Sequence, residues 1–247
     1  RRKLSPEEVY DIEPALRAEV LGGYYTDSDF TGDIHKFTNG LAEAARQAGV
    51  NFAMNTHITN IQHEGETPHL FWQDLSGQAD EQKFDGVVIT AGVMSRKLAA
   101  VLGDSVNVYP VKGYSITVEL KDTIAQAAAP NVSLLDDAAK IVTARLGKDR
   151  FRVAGTAEIN GINYDIRADR IAPLTRWVQD NFPNISTKSV IPWAGLRPMM
   201  PSMMPHIGAG RKKGVFYNTG HGHLGWTLSC VSAQMVGDIV HAKGNHL

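Results

Sequence analysis

One stretch narrows the choice of fold more than any other. Val215-Phe216-Tyr217-Asn218 reads as a short strand, and Gly220-His221-Gly222-His223-Leu224-Gly225-Trp226 as a glycine-rich turn. Leu228, Val231, Met235, Ile239 and Val240 then mark the apolar stripe of a helix. Three glycines in six positions let the backbone approach a ligand closely. The helix behind them would present unpaired N–H groups and a positive dipole end to a negative group. A nucleotide phosphate or an electron-rich cofactor ring suits such a place. A plain tight turn before a core helix satisfies the same spacing. A second stretch, Phe84 to Gly92, centres on a continuous apolar run, Val87-Val88-Ile89, and ends in small residues. That texture predicts a parallel-sheet strand buried on both faces, with Thr90-Ala91-Gly92 at its carboxyl end, where ligands of open α/β sheets bind.

The remaining pattern mixes α/β and antiparallel character. Ser5-Pro6-Glu7-Glu8 is a helix start, which predicts a polar helix over 5–20 before Gly22-Gly23. Tyr24-Tyr25 begins a short extended piece. Asp33 to Gly49 carries Phe37, Leu41, Ala44, Ala45 and Ala48 at helical spacing, with Gly49 as a natural C-cap. Val50, Phe52 and Met54 alternate as a half-buried strand does, Ile58 and Ile61 open another, and a hairpin is expected around Ser76-Gly77. Ser95 to Leu102 reads as a short helix. From Val106 to Ile191 the chain turns strand-rich, at Val108–Leu120 and Lys140–Thr156. One helix interrupts it, with Ile171, Leu174, Trp177 and Val178 on a face and Pro183 as its stop.

Composition excludes several functions. Lys and Arg number 25 against 26 Asp and Glu, so there is no basic footprint for nucleic acid. The single cysteine, Cys230, excludes an internal disulfide framework and fits a reducing compartment; within its apolar helix it reads as a core residue. No apolar run reaches the roughly 18–20 residues of a membrane span, and Arg1-Arg2-Lys3 has no apolar core behind it as a signal peptide would. These features predict a cytoplasmic location, and nothing in them reads as an anchor, so any contact with the inner face of the membrane would be peripheral.

Few other residues point to chemistry. Gly195-Leu196-Arg197-Pro198 places an arginine between an apolar strand and a proline turn, and arginine clamps a carboxylate with two parallel hydrogen bonds. A surface arginine bridging loops would look the same. Met199, Met200, Met203 and Met204 read as packing. His221 and His223 have metal-ligand spacing but no companion ligands in sequence, so no metal is expected. Asp136-Asp137 reads as a solvated turn. No G-x-S-x-G elbow exists, and no G-x-G-x-x-G fingerprint precedes a helix in the first half of the chain.

The order of three segments carries a family resemblance: Val111-Lys112-Gly113-Tyr114-Ser115, then Gly195-Leu196-Arg197-Pro198-Met199, then Asn218-Thr219-Gly220-His221-Gly222 with Leu224-Gly225-Trp226-Thr227. Together they resemble the D-amino acid dehydrogenases of the small-subunit type, the flavin-dependent, quinone-linked branch of the D-amino acid oxidase and glycine oxidase group. Phe151 to Glu158 fits the substrate-domain strand of that family, and the likeness runs from Ser5 to Ile239. It implies an α/β plus α+β fold: a partial FAD-binding Rossmann-like domain with an antiparallel-sheet substrate domain inserted. Residues 1–105 would belong to the FAD-binding part, with an edge of the substrate domain near 1–32. Residues 106–194 would form the substrate domain, and 195–247 the return to the FAD-binding part. Because family members open with a strand, a G-x-G-x-x-G turn and a helix that hold the FAD pyrophosphate, the resemblance also implies that this chain is the C-terminal part of such an enzyme. Without that anion site, the resemblance implies a weak grip on FAD by this part alone.

The resemblance further implies residue roles. Arg197 would hold the substrate carboxylate. Gly220, His221, Gly222, Leu224, Gly225, Trp226 and Thr227 would wrap the flavin ring, Ile58 would meet the adenine half through its backbone, and Ala91 and Gly92 would lie beside the cofactor. His223, where a small hydroxyl residue is common, would touch substrate. The implied reaction passes a hydride from the Cα–H of a D-amino acid to FAD. It yields a 2-oxo acid and ammonia, with electrons leaving to a quinone or respiratory-chain acceptor. Met200-Pro201-Ser202-Met203 replaces the family's Thr-Pro-Asp-Gly turn and adds apolar bulk to the expected pocket. A related amine oxidoreductase acting on glycine, sarcosine or an imino acid, and a non-catalytic truncated remnant, are the alternatives.

Overall fold

A computed structural model describes residues 1–244. The elements run β1 (Arg2–Leu4), α1 (Pro6–Ile12), β2 (Gly23–Tyr25), α2 (Ile34–Gln47), β3 (Thr56–Glu64), β4 (Thr67–Asp74), β5 (Ala79–Lys83) and β6 (Val87–Ile89). A 3₁₀ turn at Gly92–Met94 leads to α3 (Ser95–Val101), β7 (Tyr109–Glu119), α4 (Thr123–Ala128), β8 (Leu135–Asp136), β9 (Ile141–Leu146) and β10 (Arg150–Ile159). The chain closes with α5 (Ala168–Asn181), β11 (Val190–Met199), β12 (His206–Ala209), β13 (Val215–Thr219) and α6 (Gly225–Gly244). It divides into two units, Arg1–Gly40 with Lys112–Gly195, and Leu41–Val111 with Leu196–Leu247.

The first unit is built on a five-stranded sheet in the order β11-β7-β10-β9-β8. Alternation sends Tyr114, Ile116 and Val118 of β7, with Phe151 and Val153 of β10, into a core shared with Leu174, Trp177 and Val178 of α5. Helix α1 starts as expected: Ser5 and Glu8 form a reciprocal capping box, with Pro6 at its first position. It ends at Ile12 rather than near Val20. Pro14 disfavours helical backbone at Glu13. The buried Glu13 carboxylate instead accepts backbone N–H bonds from Ala15, Asn131 and Val132. Lys112 is wholly buried. Its ammonium donates to Asn163 Oδ1 at 2.7 Å, lies 3.9 Å from Glu158 and sits over the Tyr114 ring. The Tyr114 hydroxyl donates to Glu158 at 2.7 Å, and with Arg167, Arg170 and Lys112 it holds the Glu158 carboxyl below its usual range. Asp136 is no solvated turn residue: it accepts from Trp177 Nε1 at 2.8 Å and from the Ala139 amide.

Helix α2 crosses the division between the units. Asp33 caps it through the Lys36 amide, and Gly49, at φ +93, ends it.

The second unit holds two three-stranded sheets, β12-β13-β6 and β3-β4-β5. Ile61, Ile89, Leu102, Val106, Val108, Val215 and Tyr217 form its core. The Tyr217 hydroxyl donates to Asp104 at 2.8 Å, and burial pushes its pKa up. The hairpin around Ser76-Gly77 forms as expected, with Gly77 at φ +89. Residues 50–55 form no strand: Asn55 turns the chain at φ +58, and β3 begins at Thr56. The parallel pairing expected of β6 is present, Val87–Ile89 against Val215–Tyr217. Burial on both faces is not, since Ile89 is buried and Val88 is 38% exposed. The expected C-terminal stripe is also partly open. Val231 and Met235 are exposed, and so is Cys230, which corrects the core reading of that cysteine.

Candidate functional site

Parallel pairing brings the carboxyl ends of β6 and β13 side by side, the place where open α/β sheets bind ligands. Ala91 and Gly92 follow β6; Gly220 follows β13. Two hydroxyls, one of them inside the Asn218–Gly222 segment, tie these ends together. Ser95 Oγ and Thr219 Oγ1 are buried 2.8 Å apart, and Thr219 Oγ1 donates to the Gly92 carbonyl at 3.4 Å. They are far apart in sequence, so only the pairing of the strands reveals them.

The turn after β13 needs its glycines. Gly220 has φ +79 and Gly222 φ +57, a region open to glycine and costly for other residues. A Cβ on Gly220 would meet Met200 Cγ at 2.6 Å, and one on Gly222 would meet Met199 Sδ at 2.6 Å. Gly222 N–H donates to the Pro198 carbonyl at 3.0 Å. The strand end that carries Arg197 is therefore bonded directly to the glycine turn, and Arg197 is half-buried beside it. Two of the four methionines pack as expected, Met199 and Met200 beneath the glycines; Met203 and Met204 are exposed.

Beyond the turn, Leu224 N–H donates to His221 O at 3.0 Å, and the first i→i−4 bond of α6 runs from Leu228 to Leu224. The amides of Gly225 and Thr227 precede that bond, in the first turn of the helix. Gly220-His221-Gly222-His223-Leu224-Gly225 spells G-x-G-x-x-G between a strand and a helix, a signal in the second half of the chain that sequence reasoning treats only as a glycine-rich turn. His221 Nε2 and Asn218 Oδ1 are buried without a hydrogen-bond partner. Burial pushes the His221 imidazole below its ordinary pKa. Buried polar atoms left unpaired call for a ligand or water. Among the described residues, no group of three or more His, Cys, Asp or Glu is placed to hold a metal ion.

The other sequence candidates fall around this end. Ile58 lies on the edge strand β3 at a register shift between Ile58 and Asn60, packed against the core that contains Ile89. It pairs across the sheet with Trp72 of β4. His223, Leu224, Trp226 and Thr227 are exposed, and Gly225 is half-buried.

The family described as FAD dependent oxidoreductase, DAO, matches residues 1–239. The chain belongs to this family. It is 53% identical over 240 residues to D-amino acid dehydrogenase 3 of Mesorhizobium japonicum, covering 97% of this chain and 58% of that protein. It is 42% identical over 244 residues to D-amino acid dehydrogenase of Rhizobium rhizogenes, covering 95% and 57%. The chain thus spans a little over half the length of these DAO relatives. Glycine oxidase from Geobacillus kaustophilus superposes with a TM-score of 0.86 at 23% identity, over 98% of this chain and 63% of that one. L-proline dehydrogenase from P. horikoshii superposes with a TM-score of 0.82 at 16% identity, over 98% and 64%. These likenesses show that the chain shares its α/β fold with antiparallel sheets with those two structures. Among the described residues, no helix is long and apolar enough to cross a membrane.

Proposed function

We propose that this chain is part of an FAD-dependent D-amino acid dehydrogenase, which oxidises D-amino acids to 2-oxo acids and ammonia. The observation that carries the reading is the bond from Gly222 N–H to the Pro198 carbonyl, which sets a guanidinium-bearing strand end against a glycine turn at a helix start. The names of the DAO relatives support the substrate class. The residues present fit the ring end of FAD. Two glycines hold left-handed backbone, α6 offers its first amides, and His221 Nε2 and Asn218 Oδ1 are buried and unpaired.

In this reading Arg197 clamps the substrate carboxylate, and His223 lies beside the substrate. Gly220 through Thr227, with Ala91 and Gly92, hold the flavin, and the backbone of Ile58 meets its adenine half. The amides at the start of α6 stabilise negative charge on the ring's pyrimidine side. His221, kept neutral by burial, adds a polar contact there without a positive charge. Bound FAD supplies the acceptor for the hydride that leaves the substrate Cα. The chain's part is orientation: the carboxylate is fixed and the Cα–H directed, after which water hydrolyses the imino acid. The first unit serves as the substrate module and the second as part of the FAD-binding domain. The word dehydrogenase in the relatives' names supports an acceptor other than dioxygen, read here as quinone-linked, with any membrane contact peripheral.

Anaerobic addition of D-alanine to FAD-loaded protein, expressed with its flanking coding sequence, tests the reading. The flavin's visible absorption should bleach with D-alanine and not with sarcosine. Bleaching by sarcosine or glycine alone would assign the protein to the oxidase-type alternatives. Protein that retains no flavin would mark a non-catalytic remnant.

A further inference from the structure

On the five-stranded sheet of the first unit, the face opposite the α5 core carries a second guanidinium. Phe151 and Val153 point into the core, so Arg152 of β10 points the other way. The same alternation on β7 turns Ser115 away from Tyr114 and Ile116. Strands β11, β7 and β10 are neighbours, and their side chains form a row across this face. Arg152 Nε and Nη2 both donate to Ser115 Oγ at 3.3 Å, and Ser115 is only 2% exposed. The Arg152 guanidinium lies 5.4 Å from the Trp193 ring. Trp193 in turn lies across Gly195, where a Cβ would come within 2.1 Å of the indole. The glycine thus admits the flat ring against the strand. On the other side, the cross-strand partner of Arg152 is Ala144, which leaves room beside the guanidinium.

This cation is held but not neutralised. Among the described residues no carboxylate comes within ion-pair distance of Arg152, and Ser115 is its only hydrogen-bond acceptor. Among the described residues, Nη1 and one N–H of Nη2 therefore have no acceptor. Burial lowers the pKa of the group, yet a guanidinium stays charged. A partly desolvated charge without a counter-ion costs stability. Such an arrangement marks a place where an anion completes the pairing. Trp193 remains 54% exposed, a flat apolar surface beside the free donors.

We propose that Arg152, Ser115 and Trp193 form a recognition site for an organic carboxylate with an apolar or aromatic body. The carboxylate takes the free Nη1 and Nη2 donors, and the body stacks on the indole. The site lies within the first unit and does not rest on the flavin reading. Its test therefore needs no cofactor.

The test titrates this chain with 3-phenylpropionate and with the neutral 3-phenylpropanamide by calorimetry, followed also by fluorine resonances of 5-fluorotryptophan assigned through Trp193→Phe. The acid should bind saturably and move the Trp193 resonance. The amide, and Arg152→Gln with the acid, should each bind at least about tenfold more weakly, the loss expected for a charge-assisted hydrogen bond. Arg152→Lys should fall between. Equal affinity for acid and amide in the wild-type protein overturns the proposal even if Arg152→Gln fails to fold. So does equal acid affinity in wild-type and folded Arg152→Gln protein. D-Phenylalanine against phenylpyruvate then tells an amino acid from a 2-oxo acid as the better ligand.

Discussion

Gly92 and Gly222 flank the same sheet end with nearly the same backbone, φ +54 and φ +57, but in different surroundings. A Cβ on Gly92 meets nothing within 4 Å; one on Gly222 meets Met199 Sδ at 2.6 Å. Replacing each with alanine separates two physical costs. Left-handed backbone costs a residue with a Cβ about 1–2 kcal/mol, which both variants should lose. The extra carbon on Gly222 must also push aside the flexible thioether end of Met199, which adds up to about 3 kcal/mol and only in Gly222→Ala. Gly92→Ala should therefore be destabilised by about 1–2 kcal/mol and Gly222→Ala by more than that, up to about 5 kcal/mol. At roughly 2–4 °C per kcal/mol for a chain this size, the second variant should melt clearly below the first in thermal scans followed by circular dichroism. Truncating the clashing side chain supplies the internal control. In the Met199→Ala background, Gly222→Ala should cost no more than Gly92→Ala does in the wild type. Equal melting temperatures for Gly92→Ala and Gly222→Ala would show that the methionine does not pack beneath the turn, and the geometry of the site would have to be redrawn.

Thr219→Val deletes the hydroxyl that joins the Gly92 carbonyl to Ser95. It should cost about 1–3 kcal/mol in urea melts, and a loss below ~0.5 kcal/mol would mean the two loops are held by packing alone. Burial depresses the folded pKa of His221 from its ordinary 6.5, so the unfolded chain takes up the proton first as pH falls. This group's contribution is full above pH 6.5 and is lost progressively below it. His221→Gln should flatten that part of the stability–pH curve, and an unchanged slope would exclude His221 as its source. In the FAD-loaded protein, Arg197→Ala should raise KM for a D-amino acid steeply and leave the flavin content unchanged; flavin loss at unchanged KM would assign this arginine to the cofactor instead.

Much of the site was legible because its signals are local. The turn at Gly220–Gly225 shows in sequence because left-handed backbone and close approach select glycine at those positions. The strand Val87–Ile89 shows because an unbroken apolar run suits a parallel strand. Arg197 was marked only by its neighbours Gly195 and Pro198, and the bond from Gly222 to Pro198 is what attaches it to the turn. Ser95 stood in no motif, and Thr219, Ser115 and Arg152, though within the segments that carry the resemblance, had no role marked for their side chains. Each is an ordinary polar residue on a helix or strand, and its meaning comes from a partner on another element.

Sequence by itself determined the caps, the turns and the alternation of strands. The capping box at Ser5 and Glu8, the helix end at Gly49 and the hairpin at Gly77 follow from hydrogen bonds and dihedral demands within a few residues. Tertiary structure alone decided which strands became neighbours, and with that which side chains meet. It buried Glu13, the residue before Pro14 where α1 stops, and gave its carboxylate the amides of Asn131 and Val132. It left Val88 and Cys230 open despite their apolar surroundings in sequence. It also set the guanidinium of Arg152 between Ser115 and Trp193. Burial and pairing depend on what packs across a face, which residues distant in the chain supply, whereas backbone conformation is constrained by each residue and its near neighbours.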